Sequence, residues 1–366
     1  MKVCFVYAGP LKYRGRLFKQ IKTLQDAGIE CLLVHGWTEE VQPDYSVYSF
    51  PVIPIKMSWG KSRLLTLTTM LRFNYLASDV ILESESDTVI CITLESALSG
   101  ALVKKRRASV RFIFDCNELA LEMFSSRIKK TVFKEIQSFV LRYADVVMHA
   151  ERNRLDYFKK KYPSRAQTFL LENLPVFRQQ GERLDTPVSR AVYLGVISPD
   201  RHCTDMFEAF SELNNPRVQF DLIGFCLCKE YEKEVQLRLS DLNANNVRLL
   251  PPVAHDQICD VLADYQIGLA FYQNTDLNNY FCAPNKVYDY IQMGMAVITN
   301  DYPGLKDIVE KNRIGVCLSD VNVSQIQSAV RDVIDLDLRK NIHNDIRYRY
   351  SWEYQRERYL QLISFS

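Results

Sequence analysis

Three stretches of this 366-residue chain carry residue types at spacings that could do chemistry. The first is "APNKVYDYIQMG", residues 283–294. Pro284 suits the first position of a helix, where its missing N–H would have had no partner. Asn285 and its neighbours then offer free N–H groups at the positive end of a helix dipole, a ready anion site. A cation in the first turn opposes that dipole by roughly 0.3–1 kcal/mol, so Lys286 is misplaced for helix stability alone. An anion shared by the ammonium and the helix start removes the conflict; a solvated lysine that tolerates its position is the other reading. Asp289 lies one turn on, on the same face, where a carboxylate would suit a ribose diol or form an ordinary i,i+3 ion pair with Lys286.

The second stretch, "YLGVISPDRHCTDMFEAF" (193–210), is a strand ending at Gly195, a short loop and a helix start beside Arg201. This is the layout of a first βα turn that holds phosphates, and a guanidinium fork matches a diphosphate. The dinucleotide pattern GxGxxG is absent. Without a ligand, Arg201 is a solvated arginine. The third stretch, "FIFDCNELALEM" (112–123), delivers Asp115, Asn117 and Glu118 at the end of a buried-type strand. There they face a ligand, or one of them caps the following helix.

These groups need a scaffold, and the pattern supplies one. Apolar strands ("KVCFVY", "IECLLV", "TVICIT", "RFIFDC", "DVVMHA") alternate with amphipathic helices, which implies a parallel sheet covered on both faces. The alternation breaks at "ENLPVFRQQGERLDTPVSR" (172–190), the best linker in the chain, and restarts at "AVYLG". The expected architecture is two Rossmann-like, doubly wound α/β domains facing each other across a cleft. The domains are expected at 1–178 and 179–350, with a final helix, 351–366, crossing back to the first. Ligands bind such sheets at the carboxyl ends of the strands, so the cleft is the expected site.

Composition narrows the function classes. Lys+Arg 46 against Asp+Glu 44 gives a net charge of +2, which offers no support for wholesale nucleic-acid binding. The ten cysteines include no CxxC pair, and most sit in apolar runs, as expected of buried thiols in a reducing compartment. No metal site is expected. No apolar run approaches the ~20 residues needed to span a bilayer. The expected location is cytoplasmic, with peripheral contact on the inner membrane face as an option. Basic clusters at 104–107, 127–130 and 159–161 lie beside apolar "MFSS" and "MSWGKSRLLTLTTMLRF", which suits an anionic bilayer or a plain solvated face.

Taken together, the motifs resemble glycosyltransferases of the GT-B fold, most closely family four, over nearly the whole chain. They are "YRGRLFKQIKTLQDAGIECLLV", "FDCNEL", "ADVVMHAERNRLDYF", "LENLP", "YLGVI" with Arg201, "PNKVYDYIQMGMAVITNDYPGLKDIV" and "SWEYQ". The resemblance implies a nucleoside-diphosphate sugar on the C-terminal domain and a glycan or lipid-linked acceptor on the N-terminal one. It implies retention of configuration, no cofactor beyond the sugar-nucleotide co-substrate and no metal. Arg201 and Lys286 then neutralise the diphosphate, Asp289 holds the ribose, and Gly195 and Asn285 border the donor. Asn117 and Glu118 serve the reaction centre. Three positions depart from the pattern: Phe281 stands where the family has a donor-binding glutamate, Asn117 where it has histidine, and His202 where a glycine is usual. The change at Phe281 points to an unusual donor sugar, or to Asp276, Asn278 or Asn279 supplying the missing contact. Two other readings remain open. One is a sugar-nucleotide epimerase of the same fold using Asp115 and Glu118 as acid and base; the other is an inactive binding subunit.

Overall fold

A computed structural model describes residues 1–12, 14–38, 41–58, 63–179, 189–213, 215, 217–242 and 244–364. Seven strands form the first sheet: β1 (Lys2–Ala8), β2 (Glu30–Trp37), β3 (Val52–Lys56), β4 (Thr88–Ile92), β5 (Arg111–Asp115), β6 (Val146–His149) and β7 (Gln167–Leu170). They run parallel in the order β3-β2-β1-β4-β5-β6-β7. Six more form the second: β8 (Ser189–Ile197), β9 (Val218–Cys226), β10 (Val247–Leu250), β11 (Ile267–Ala270), β12 (Ala296–Asn300) and β13 (Gly315–Leu318). Their order is β10-β9-β8-β11-β12-β13, again all parallel. In each sheet the order reverses once, between β1 and β4 and between β8 and β11. Ligands collect at such a switch point, outside the carboxyl ends of the strands.

The chain divides into two compact units, Met1–Asn173 with Gln355–Ser366, and Leu174–Tyr354. Residues 180–188, the heart of the expected linker, lie outside the described residues. Within the first unit the terminal residues are tied to the sheet. The Gln355 amide donates to the Glu172 carbonyl at 2.7 Å and accepts from the Glu172 N–H, and Arg111 donates to the Leu362 carbonyl. Tyr359 is fully buried there.

Local sequence explains the elements. The central strand β1 is apolar on both faces, as a parallel strand covered by helices must be. Helix Gly15–Asp26 ends where Gly28, at φ +75, lets the Gly28 and Ile29 amides fold back onto the Gln25 and Leu24 carbonyls. Glu151, Asp276 and Asn322 each cap the helix that follows them. In the second unit, odd and even residues of β8 feed opposite layers: Ala191 and Tyr193 pack with Phe207, Phe210 and Phe220, while Val192 and Leu194 pack with Tyr288, Tyr290 and Ile291.

Three strands escaped the pattern. β3 is a short edge strand interrupted by Pro54, tolerated because an edge needs fewer ladder bonds; β7 and β13 have four residues each. The apolar stretch before residue 73 belongs to one long helix, Arg63–Glu83, whose Met70, Phe73, Ala77 and Ile81 are buried. Among the described residues no helix is long and apolar enough to cross a membrane.

Helix Leu94–Arg106 lies so close to β5 that a Cβ on Gly100 would fall 2.2 Å from the Phe112 ring. Gly100→Ala is therefore expected to destabilise the chain by about 1–3 kcal/mol, against the usual helix preference for alanine. Urea unfolding of the two proteins measures this.

Candidate functional site

The switch point of the second sheet is shaped by a tyrosine. Pairing between β8 and β11 ends at Tyr193 and Leu269. Beyond it, the Tyr290 hydroxyl accepts from the Leu194 N–H at 3.0 Å and donates to the Leu269 carbonyl at 3.3 Å. Its ring lies flat on Gly268, where a Cβ would come within 2.2 Å. Tyr290 belongs to helix Asn285–Gln292, so these bonds fix the rotation and depth of that helix. Sequence reasoning missed it, because a buried tyrosine in "YDYIQ" reads as core.

One turn earlier on the helix, Lys286 is delivered to the end of β8. Its ammonium lies 3.7 Å from the Tyr193 ring centroid and 5.5 Å from that of Tyr272. A Cβ on Gly195 would stand 3.1 Å from Lys286 Nζ, and Gly195 has φ +140, so glycine is required there twice over. Lys286 is half-buried, and among the described residues no hydrogen bond or ion pair holds its ammonium. Burial and then the Arg201 guanidinium push its pKa down to about 7.

Arg201 closes a short 3-10 turn, Pro199–Arg201, after β8. Its guanidinium stacks 4.2 Å over Tyr272 and pairs with Asp200. The turn is anchored to the segment after β11, since Gln273 N–H donates to the Asp200 carbonyl at 2.9 Å. His202 then adopts the left-handed φ of +54 that glycine takes without strain, steadied by a 2.8 Å contact of its Nδ1 with Asp205. The structure thus brings Gly195, Arg201 and Lys286 together with two tyrosines that sequence reasoning passed over.

The remaining expectations fare differently. Pro284 is the extended residue before the helix, with ψ 141, rather than its first residue, and the helix opens on exposed Asn285. Asp289 is half-buried on the same helix, and the charged side chains that act on Lys286 include Arg201 and Asp200. Phe281 ends helix Leu277–Tyr280, half-buried, and Cys282 beside it is buried. Asp276 caps that helix, accepting from the Asn278 and Asn279 amides at 2.7 and 3.0 Å.

In the first unit Asp115 does not project outward, as the sequence suggested. It is fully buried, paired with Arg16 at 2.8 Å and bonded by Gln20 at 3.0 Å, because a buried carboxylate needs compensation. Asn117 has φ +53, accepts from Arg16 through its side chain and from Arg154 through its carbonyl, and is half-buried. Glu118 is exposed. His149, at the end of β6, is buried with both ring nitrogens lacking partners among the described residues. Burial, with Arg154 and Arg16, lowers its pKa to about 3 and keeps it neutral. Among the described residues no three His, Cys, Asp or Glu side chains are grouped to hold a metal ion.

Comparison with known proteins bears on the family and the fold. Residues 177–349, inside the second unit, match the family model described as "Glycosyl transferases group 1". No curated protein matches the chain. Among solved structures, sucrose-phosphate synthase from Thermosynechococcus elongatus aligns over 100% of both chains, at 13% identity and TM-score 0.74. The lipopolysaccharide outer core galactosyltransferase WaaB aligns over 99% of each chain at 15% identity and TM-score 0.72. Anabaena Alr3699/HepE, solved with UDP and glucose, aligns over 100% of this chain and 99% of its own at 15% identity and TM-score 0.72. At such identities the likeness is one of fold, and the fold is GT-B.

Two substitutions test the site's construction. Tyr290→Phe leaves a buried N–H and a buried carbonyl without their partner and is expected to cost about 1–3 kcal/mol in urea unfolding. Lys286→Met is expected to raise the melting temperature of the ligand-free protein. The folded pKa of Lys286 near 7 lies below its ordinary 10.5, so the charged form is disfavoured by folding. The advantage of the methionine variant is therefore full below pH 7 and fades as pH rises toward 10.5. Calorimetric scans across that window show it.

Proposed function

We propose, for a chain whose residues 177–349 match the glycosyl transferases group 1 family model and whose fold is GT-B, a glycosyltransferase that draws its sugar from a nucleoside diphosphate. The acceptor in this reading is a glycan or lipid-linked glycan of surface polysaccharide or glycoconjugate synthesis. Transfer proceeds with retention and without metal. The single observation that carries the donor assignment is the Lys286 ammonium, half out of water, held over Tyr193 and beside Arg201 with no carboxylate bound to it.

Cleavage of the glycosidic bond leaves negative charge on the departing diphosphate. Lys286 reaches the end of β8 and shares the Tyr272 ring with Arg201, and in this reading the two cations meet that charge. They are in place beforehand and partly shielded from water, so their attraction grows as the leaving group forms. In this reading Asp289 holds the ribose from the next turn of the helix. In the first unit, Asn117 offers a neutral hydrogen-bonding group and Glu118 an exposed carboxylate, the groups this reading assigns to an acceptor. The epimerase alternative is weakened, because Asp115, its acid, is locked in a buried ion pair.

Membrane contact has a specific support. Met123 and Ile128 are exposed at 55% and 77%, next to Arg127, Lys129 and Lys130. Such a mixture suits an anionic bilayer carrying a lipid-linked acceptor.

Titration calorimetry with UDP, GDP and CMP tests the donor site, with UDP first because Anabaena Alr3699/HepE was solved with it. Binding of at least one is expected. Lys286→Ala should weaken it by roughly tenfold to a hundredfold, the loss of a charged hydrogen bond of about 1.5–3 kcal/mol. Because the free ammonium titrates near 7, binding above that pH takes up a proton. Affinity should then fall by up to about tenfold per pH unit from 7 toward 9, and Lys286→Arg should flatten the profile. Absence of binding by every nucleotide would overturn the donor assignment.

A further inference from the structure

The first unit carries a cavity at the opposite end of its sheet from Asn117 and Glu118. Its volume is about 540 Å³, within the ~300–1,000 Å³ usual for small-ligand sites. The lining comes from the segments that lead into three neighbouring strands. Lys104 and Lys105 end helix Leu94–Arg106 before β5, Arg142 and Asp145 lie at and just after the end of helix Arg127–Tyr143 before β6, and Arg165 precedes β7. The cavity therefore opens at the amino ends of the strands, whereas Asn117 and Glu118 follow the carboxyl end of β5.

Part of this lining is electrically settled. Lys104 Nζ lies 2.9 Å from Asp145 Oδ2 and donates to the Val110 carbonyl at 2.8 Å. The same carboxylate oxygen accepts from the Phe112 N–H at 2.7 Å, so the carboxylate of the lining is already neutralised. Lys105, Arg142 and Arg165 are exposed, and among the described residues none of them has a hydrogen bond or an ion pair. In a chain with a net charge of +2, three unmatched cations around one hollow need a cause. The negative ends of the two helices favour Lys105 and Arg142 in their last turns. That account does not reach Arg165, which lies beyond the last turn of helix Arg152–Lys161, and it does not explain why the three surround a cavity.

Two guanidinium forks and an ammonium match the oxygens of a phosphate, which accepts several charged donors at once. We propose that this cavity is a second anion site, in which Arg142, Arg165 and Lys105 hold a phosphoryl group. It does not depend on the donor reading, because none of its residues belongs to the second unit. The phosphoryl group is either free in solution or part of an anionic lipid headgroup, and the test separates the two sources.

Calorimetry with inorganic phosphate reads the first source. Cosedimentation with phosphatidylcholine vesicles, with and without phosphatidylglycerol, reads the second. Both are run on the wild type, on Arg142→Gln/Arg165→Gln, and on Lys159→Gln/Lys160→Gln, which removes the same charge from exposed positions outside the lining. All four side chains are exposed, so their replacement leaves the fold in place. In at least one arm the arginine variant is expected to bind about tenfold more weakly than the lysine variant, or worse. Such a gap with phosphate identifies a soluble ligand, and a gap with the anionic vesicles alone identifies a lipid headgroup. If the wild type binds neither probe, or if the gap between the two variants is smaller than that in both arms, the proposal is overturned.

Discussion

An ammonium that lies half out of water with an aromatic ring beneath it, and to which no carboxylate is bound among the described residues, is an uncompensated charge, and the second unit is arranged around it. Desolvation and the neighbouring guanidinium both disfavour its protonated form, which is why its pKa falls to about 7. The scaffold nevertheless holds it in place with several independent constraints. Gly195 leaves room for it, Tyr193 supports it, and the Tyr290 hydroxyl bridges two diverging strands to set the helix that carries it. Gly268 in turn exists as the flat surface on which the Tyr290 ring rests. An anion resolves the electrostatic conflict. An apolar side chain at position 286 would resolve it too, at lower cost to stability, and so an inactive subunit with no anion to bind would gain from losing this lysine.

The first unit treats charge in the opposite way. Arg16 and Asp115 are both buried, yet they pair with each other, and Gln20 bonds Asp115 while Arg16 also donates to Asn117. A buried pair of this kind organises a strand end and does not turn over a substrate, because moving a proton from Arg16 or onto Asp115 would leave a lone charge in a dry site. What this end of the sheet leaves available is Glu118, exposed, and the neutral amide of Asn117, presented by a left-handed backbone that asparagine accepts more readily than most residues. Neutral His149 stands behind them, with both ring nitrogens unpartnered among the described residues.

How much of this could be read from the letters follows from what periodicity reports. The βα alternation, the break after residue 172 and the loop from Gly195 to Arg201 are local patterns, and they were legible. So was Lys286, because a cation in a first helical turn contradicts a rule that depends on sequence alone. Tyr193, Tyr272 and Tyr290 were invisible as functional groups, since a tyrosine in an apolar strand or helix looks the same whether its hydroxyl meets a core carbonyl or bridges a switch point. Asp115 and Asp276 looked like free carboxylates because ion pairing across 99 residues and helix capping are settled by where the chain folds back, which no window reveals. The weak strands β3, β7 and β13 failed for a different reason: edge strands of four or five residues carry too few letters to establish a period.

The Tyr193 and Tyr272 rings beside Lys286 help to exclude water, which lowers its pKa and, in the proposed reading, strengthens its attraction for a departing diphosphate. Among the described residues, the Asp200 carboxylate that acts on Lys286 is itself paired with Arg201. In the proposed reading, a pocket that leaves this cation without a carboxylate keeps it available to the leaving group.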